Sequence, residues 1–326
     1  MACCLGKIHE PNVDIRKPYT EISGDGTYSG RSYDEQFVEP FVLKNQLPTN
    51  QTTAFLTPAF RNIDRTLTVN LKLVGRPVSL YSSTLKLLDA VYNDVLSPVL
   101  LLKETIRLLI VIKNENEDRM RQLLRQLESV PDTLPLSSEQ ILTLLQQHLS
   151  SKKVSRLPVL IIAAAYHSVG SMIGEIPRAL QSHNAADRQT GAIGDIEIML
   201  VNESNVVTCY EMKDKKVTIT DIQNAVTKIS TLDYHIQNYI FITTGSIEES
   251  VRDFAFTLYE KTAVEFVVLD CIGFARHFLH FFNRSRIKFL DTYQHLLLQE
   301  PNGSVDQSLK EAFLVLRRNA ESDHAS

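Results

Sequence analysis

The feature that most constrains the fold is a series of short strand-like segments that alternate with helical ones between residues 194 and 270. The strand-like segments are rich in β-branched and aromatic residues and read DIEIML, VVTCYEMK, YIFITT and EFVVLD. Between them, TDIQNAVTKIS and SIEESVRDFAFTLYEKT have apolar residues at helical spacing. Strands joined by helices of crossover length pair in parallel. The pattern therefore predicts an α/β fold with a mixed central sheet flanked by helices.

Upstream of these segments the chain is mainly helical. Residues 1–30 are polar and contain turn signals such as SGDGTYSG, so they are predicted to form an irregular N-terminal arm. Residues 31–150 carry long helical patterns, and the spacing of Ser137 and Gln140 predicts a capping box at the start of one helix. Residues 151–326 are predicted to form the α/β domain together with C-terminal helices.

Composition narrows the class of protein. The chain has 326 residues, of which 44% are hydrophobic, so it can bury a large core. No apolar segment reaches the roughly 18 residues of a membrane span, and the first residues lack the pattern of a secretory signal. The four cysteines have neither zinc-site spacing nor that of a disulfide framework. A cytoplasmic protein is expected, and its net charge of −4 restricts any contact with nucleic acid to local basic surfaces.

Charged residues lie at corresponding ends of the first two strand-like segments. Because side chains alternate along a strand, Asp195 and Glu197 share one face, and Glu211 and Lys213 share a face of the next segment. If the apolar faces are buried together, these four charged residues lie on one polar side. That arrangement sets Asp195 beside Glu211, and the register it needs predicts a hairpin loop of three or five residues around Glu203.

Carboxylates that converge at one end of a sheet repel each other unless a cation lies between them, and oxygen ligands suit Mg²⁺. Such an ion polarises a phosphoryl oxygen and lowers the pKa of bound water. Lys213 could then orient that water or stabilise the negative charge that develops on phosphorus oxygens. The alternative is a surface hairpin whose charged residues form weak ion pairs in solvent.

The residues GD at 194–195, followed after fifteen residues by EMK at 211–213, resemble the PD-(D/E)xK nuclease signature. Asp195 matches its first acid, Glu211 its second acid and Lys213 its lysine, whereas Gly194 stands where the family has proline. More broadly, YSGRSYDEQFVEPF and TTAFLTPAFRN ahead of a helical region, with the nuclease motif after it, resemble type II restriction endonucleases of the SacI-like family.

This resemblance implies a restriction-endonuclease-like fold and a Mg²⁺-dependent nuclease with Asp195, Glu211 and Lys213 as catalytic residues, the two acids being the metal ligands. The implied substrate is double-stranded DNA, cut at a short palindrome, usually by a homodimer. In a restriction system, a cognate DNA methyltransferase protects the host DNA and is the genetic partner.

Further residues have two interpretations each. Glu175 could supply an additional upstream acid, or be an ordinary helix-end carboxylate, and Glu197 could join the metal shell or face solvent. The segment QSHNAADRQTGAIGD is dense in side chains that read base edges, or it is a polar connecting loop. The DNA-binding candidates are Asn184, Arg188 and Gln189 in that segment and Lys215 after the motif.

Two other functions stay open from the sequence. The protein could be a structure-specific or repair nuclease for DNA junctions or damaged ends, which shares the chemistry but not the sequence specificity. It could also be a non-enzymatic helical interaction protein whose C-terminal α/β domain is a binding module.

Overall fold

A computed structural model describes residues 1–49, 60, 65–72, 78–128, 134–180 and 193–322. The chain divides into two compact units, Met1–Arg119 and Met120–Ser326. The division therefore falls earlier than residue 150, where the sequence predicts the domain boundary. None of the helices in the described ranges is long and apolar enough to cross a membrane.

The first unit is mainly helical, as predicted. Its elements are α1 (Ala2–His9), α2 (Gly30–Tyr33), a π-helical segment (Asp34–Val38), α3 (Glu39–Asn45), α4 (Val78–Tyr92) and the first part of α5 (Pro98–Glu128). The expected irregular arm differs from the structure, because it begins with α1 and then buries Val13, Ile15, Ile22 and Tyr28. These buried residues lie among turns and follow neither helical nor strand periodicity, so the sequence pattern did not indicate that they pack.

The second unit contains a five-stranded mixed sheet covered by helices, which confirms the predicted fold class. Its strands are β1 (Glu175–Pro177), β2 (Ile196–Leu200), β3 (Val206–Lys213), β4 (Asn238–Thr243) and β5 (Glu265–Asp270). They lie side by side in chain order; β1, β2 and β3 pair antiparallel, and β3, β4 and β5 pair parallel. The carboxyl ends of β3, β4 and β5 therefore meet at one edge of the sheet.

The helices of the second unit close both faces of this sheet. They are α6 (Ser138–Leu149), α7 (Leu157–Ile173), α8 (Ile219–Ile229), α9 (Glu249–Phe256), α10 (Tyr259–Thr262), α11 (Cys271–Phe281), α12 (Arg286–Gln299) and α13 (Gln307–Ser322). The predicted capping box begins α6: the Ser137 hydroxyl accepts from Gln140 N, and the Gln140 side chain accepts from Ser137 N. The apolar segment that begins at Leu157 forms the buried helix α7.

The β2–β3 hairpin has the register that the sequence predicts near the motif. Ile196 lies opposite Tyr210 and Glu197 opposite Cys209, and both pairs have the parity that the prediction requires. Asp195 directly precedes the first of these pairs. The loop of residues 201–205 is five residues long and exposed. A bulge between Ile198 and Met199 shifts the register on the loop side.

Both faces of the hairpin are buried, whereas the sequence predicts one apolar and one polar side. The first core, around Ile196, Ile198 and Tyr210, lies against α7 and the C-terminal helices. The second core, around Cys209 and Tyr239, lies against α8 and α9. The charged residues of the motif therefore occupy only the rim of the second core, at the carboxyl end of β3, and not an open polar face.

Candidate active site

Asp195 is fixed at the start of β2 by two contacts with β3. Its backbone N donates to the carbonyl oxygen of Tyr210 at 2.8 Å. Its carboxylate Oδ2 accepts from the backbone N of Met212 at 2.7 Å. The carboxylate of Asp195 is therefore held beside the segment of β3 that carries Glu211.

Glu211 and Lys213 lie two residues apart on the same face at the end of β3. Lys213 Nζ is 2.8 Å from Glu211 Oε1, and their side chains are 30% and 22% exposed. The other oxygen of Glu211, Oε2, accepts a hydrogen bond from the Tyr239 hydroxyl on β4. The structure thus brings Asp195, Glu211 and Lys213 together at one rim of the sheet, partly shielded from solvent.

A third acid, Asp221, holds Lys213 from the first turn of α8. Its Oδ1 is 3.4 Å from Lys213 Nζ. Its Oδ2 accepts from Thr218 N at 2.9 Å and from the Thr218 hydroxyl at 2.7 Å, and the Thr218 hydroxyl in turn accepts from Asp221 N. This capping box orients the carboxylate, so that Lys213 lies between two acids that belong to different elements.

The surroundings keep Lys213 charged. Burial alone would lower the pKa of the Lys213 ammonium, but the hydrogen bond and charge of Glu211, and then Asp221, raise it above its usual value. Burial would raise the pKa of Asp221, yet the hydrogen bonds from Thr218 and the charge of Lys213 lower it. At neutral pH the site therefore contains an ammonium group and an ionised Asp221.

Asp195 and Glu211 fit the way in which proteins hold Mg²⁺. This ion usually takes one or two carboxylates from the protein and fills its remaining positions with water and substrate phosphate. Both acids lie at the same rim of the sheet, where Asp195 accepts from Met212 N and Glu211 contacts Lys213. Among the described residues there is no group of three or more side chains that could hold a metal ion.

Glu197 has a structural position that neither sequence interpretation anticipated. It is only 6% exposed, its Oε2 accepts from Arg178 Nη1 at 2.9 Å, and its Oε1 accepts from Ile193 N at 2.7 Å. Both carboxylate oxygens are thus bonded to protein donors. Glu197 faces the second core rather than solvent because its neighbours on that face, including Cys209, are buried there.

Glu175 is separated from the other acids. The left-handed Gly174 ends α7 and turns the chain into β1, where Glu175 pairs with Leu200. Leu200 is at the end of β2 remote from Asp195, so Glu175 does not join the cluster at the rim.

Of the DNA-binding candidates, Lys215 is exposed just beyond the motif, and its carbonyl oxygen accepts from the Thr243 hydroxyl at 2.6 Å. Asn184, Arg188 and Gln189 lie outside the described residues. Tyr239 and Asp221 are site residues that the sequence interpretation missed. The Thr-x-x-Asp spacing at 218–221 is a capping-box signal that could have indicated Asp221, whereas a tyrosine inside a strand has no comparable signal.

Comparison with known proteins identifies the same region. Residues 134–246 match the family model of the SacI restriction endonuclease C-terminal domain. A comparison of the chain with curated proteins found no match. This match confirms the resemblance to a SacI-like restriction endonuclease for residues 134–246, which include Asp195, Glu211 and Lys213.

Proposed function

We propose that this protein is a type II restriction endonuclease, which cleaves double-stranded DNA at a short specific sequence by Mg²⁺-assisted hydrolysis of a phosphodiester bond. The observation that supports this most directly is the meeting of Asp195, Glu211 and Lys213 at one rim of the sheet, inside the region that matches the SacI family model. In a solvated hairpin with weak ion pairs these side chains would be exposed, whereas Lys213 and Glu211 are only 30% and 22% exposed.

The residues have separate roles in the proposed reaction. Asp195 and Glu211 would hold Mg²⁺, which supplies polarisation of a phosphoryl oxygen and a lowered pKa of bound water. Lys213 remains protonated, because Glu211 and Asp221 raise its pKa. Its ammonium therefore stabilises the negative charge that develops on the phosphoryl oxygens and does not act as the base.

The partners follow from the proposed substrate. A palindromic DNA site is read most simply by a two-fold symmetric homodimer, in which each protomer cuts one strand. Because the net charge of the chain is −4, phosphate contacts depend on local cations such as Lys215. A cognate DNA methyltransferase in the same cytoplasm would protect host DNA.

Digestion of plasmid DNA by the purified full-length protein in Mg²⁺ tests the proposal. Discrete fragments that are the same in every digest are expected. Smeared products, or cuts that require junctions or damaged ends, would instead support a structure-specific or repair nuclease. Complete absence of cutting would favour an interaction protein without enzymatic activity.

The assignment of the two acids is tested by Asp195→Asn and Glu211→Gln. Each variant is expected to abolish cleavage, since a neutral amide binds Mg²⁺ poorly, while the far-ultraviolet circular dichroism spectrum remains that of the wild type. Asp214→Asn is the matched control, because Asp214 is an exposed carboxylate in the turn directly after Lys213. Wild-type turnover by either Asp195→Asn or Glu211→Gln would contradict the assignment.

A further inference from the structure

We infer that Tyr239 is a positioning residue that holds the Glu211 carboxylate in the orientation required at the active-site rim, an inference that rests on the function proposed above. Tyr239 lies on β4 directly beside Cys209 of β3, and its side chain is completely buried. Its hydroxyl donates to Glu211 Oε2 and also lies 3.2 Å from the carbonyl oxygen of Ile193.

Tyr239 donates its single hydroxyl hydrogen to Glu211. A tyrosine hydroxyl has one hydrogen to donate, and an ionised carboxylate is a stronger acceptor than a backbone carbonyl oxygen. A tyrosine hydroxyl ordinarily ionises only at about pH 10, so it carries this hydrogen at neutral pH. Tyr239 therefore acts on Glu211 as a hydrogen-bond donor.

The two oxygens of Glu211 are held by partners of different rigidity. Oε1 contacts Lys213, whose long side chain is 30% exposed. Oε2 contacts Tyr239, whose ring is stacked on Phe266 with centroids 5.6 Å apart and packs on Phe241 with centroids 5.2 Å apart. The buried aromatic ring is thus the contact that fixes the rotation of the carboxylate about its last bond.

The hydroxyl is not needed for packing. The neighbours of Tyr239 in the second core include Phe241 and Phe266, so a phenylalanine would fill the same space. A buried hydroxyl costs free energy unless it finds an acceptor, and here the acceptor is one of the two acids at the proposed metal site. Groups that hydrogen-bond to a metal ligand orient it, and their removal typically lowers metal affinity or activity by about 10-fold to 100-fold.

Tyr239→Phe tests this inference, with Tyr210→Phe as the matched control. Tyr210 immediately precedes Glu211 on β3, is 4% exposed, and faces the first core, where its hydroxyl lies 2.9 Å from that of Tyr166. Each substitution therefore removes one buried hydroxyl, but only one of them touches Glu211. We would measure Mn²⁺ binding to the full-length protein by titration calorimetry and, separately, single-turnover cleavage in Mg²⁺ at saturating DNA.

Tyr239→Phe is expected to weaken Mn²⁺ binding and to slow cleavage, each by about 10-fold or more, at an unchanged DNA affinity in Ca²⁺. Tyr210→Phe should stay within about twofold of the wild type in both measurements. Equal effects of the two substitutions, or a Tyr239→Phe protein that binds Mn²⁺ and cuts like the wild type, would overturn the inference. If the wild type cuts no DNA, the proposed function fails, whereas the comparison of Mn²⁺ binding still decides whether Tyr239 orients Glu211.

Discussion

At the scale of single residues, the role of Lys213 decides between two interpretations of residues 211–216. They are either part of a catalytic cluster or only a basic surface segment. It is half-buried between Glu211 and Asp221, whereas Lys215 and Lys216 are exposed, and Lys216 pairs with Glu248 at 3.1 Å. The three lysines at positions 213, 215 and 216 thus have different surroundings. Lys215 and Lys216 can therefore serve as controls for substitution of Lys213.

Lys213→Ala is expected to lower the cleavage rate constant by about a hundredfold or more, while specific DNA binding in Ca²⁺ survives. The reason is that its ammonium acts on charge that develops only in the transition state. Lys215→Ala and Lys216→Ala should weaken DNA binding modestly and leave the rate constant at saturating DNA unchanged. Single-turnover kinetics and anisotropy measurements check both parts; an equally mild loss in all three variants would assign the segment to a basic surface alone.

The motif residues could be predicted from sequence because they rest on local rules. Alternation along the two strands predicts that Asp195 and Glu211 lie on the same side of the hairpin, once the apolar residues are assigned to the opposite side. Tyr239 could not be found in this way, since its contact with Glu211 depends on the register of two strands separated by α8. Gly194, by contrast, departs from the nuclease signature for a reason that only the structure shows. A Cβ at this position would overlap Cys209 Sγ and lie 2.6 Å from the carbonyl oxygen of Tyr210. The proline of the signature therefore does not fit this chain.

At the scale of elements, one buried histidine links α6 to both α12 and α13 by hydrogen bonds. His148 on α6 is fully buried; its Nε2 donates to the Leu309 carbonyl oxygen at 3.1 Å, and its Nδ1 accepts from the Tyr293 hydroxyl at 2.9 Å. Both ring nitrogens are thus satisfied in the neutral form. Burial accordingly lowers the pKa of His148 to about 4, despite the hydrogen bond to Leu309.

The lowered pKa of His148 predicts that the folded protein is less stable in mild acid. Because the unfolded chain binds the proton near pH 6.5 and the folded chain only near pH 4, the free energy of unfolding falls as the pH drops between these values. His148 should account for about 2 kcal/mol of the difference between pH 7 and pH 5. Urea unfolding of the wild type and of His148→Gln checks this, since the variant should lose that part of the pH dependence. An identical pH dependence in both proteins would contradict it.

The elements themselves were predictable in proportion to their length and periodicity. The four longer strands and α8 lie within about one or two residues of the positions that the sequence predicts. β1 has three residues, too few to establish an alternation, so no sequence pattern indicated it. The buried turns before Tyr28 were missed for a related reason: their contacts are set by the tertiary fold rather than by a local period.

At the scale of the whole molecule, the proposed DNA substrate would have to bind this acidic protein through a limited basic surface. The chain carries 34 lysine and arginine residues against 38 acidic ones, so long-range attraction to DNA is weak on average. Affinity then depends on a few phosphate contacts, and each of these releases counterions.

The DNA affinity in Ca²⁺ is therefore expected to fall steeply with salt, with a slope of about −0.9 in a double-logarithmic plot for each phosphate contact. Lys215→Ala should reduce the magnitude of this slope by about one contact. Anisotropy titrations of a labelled duplex at several salt concentrations measure both slopes. A slope near zero for the wild type would count against any nucleic-acid substrate.

The exposed hairpin loop of residues 201–205 has a practical consequence. It joins β2 and β3 at the end remote from Asp195 and Glu211, and exposed loop tips are the positions at which folded chains best accept insertions. A fluorophore or an affinity tag carried there would leave the opposite end of the hairpin free. The protein could thus be attached to a surface by this loop with its active-site rim turned toward solution, which is the orientation that single-molecule observation of DNA cutting requires.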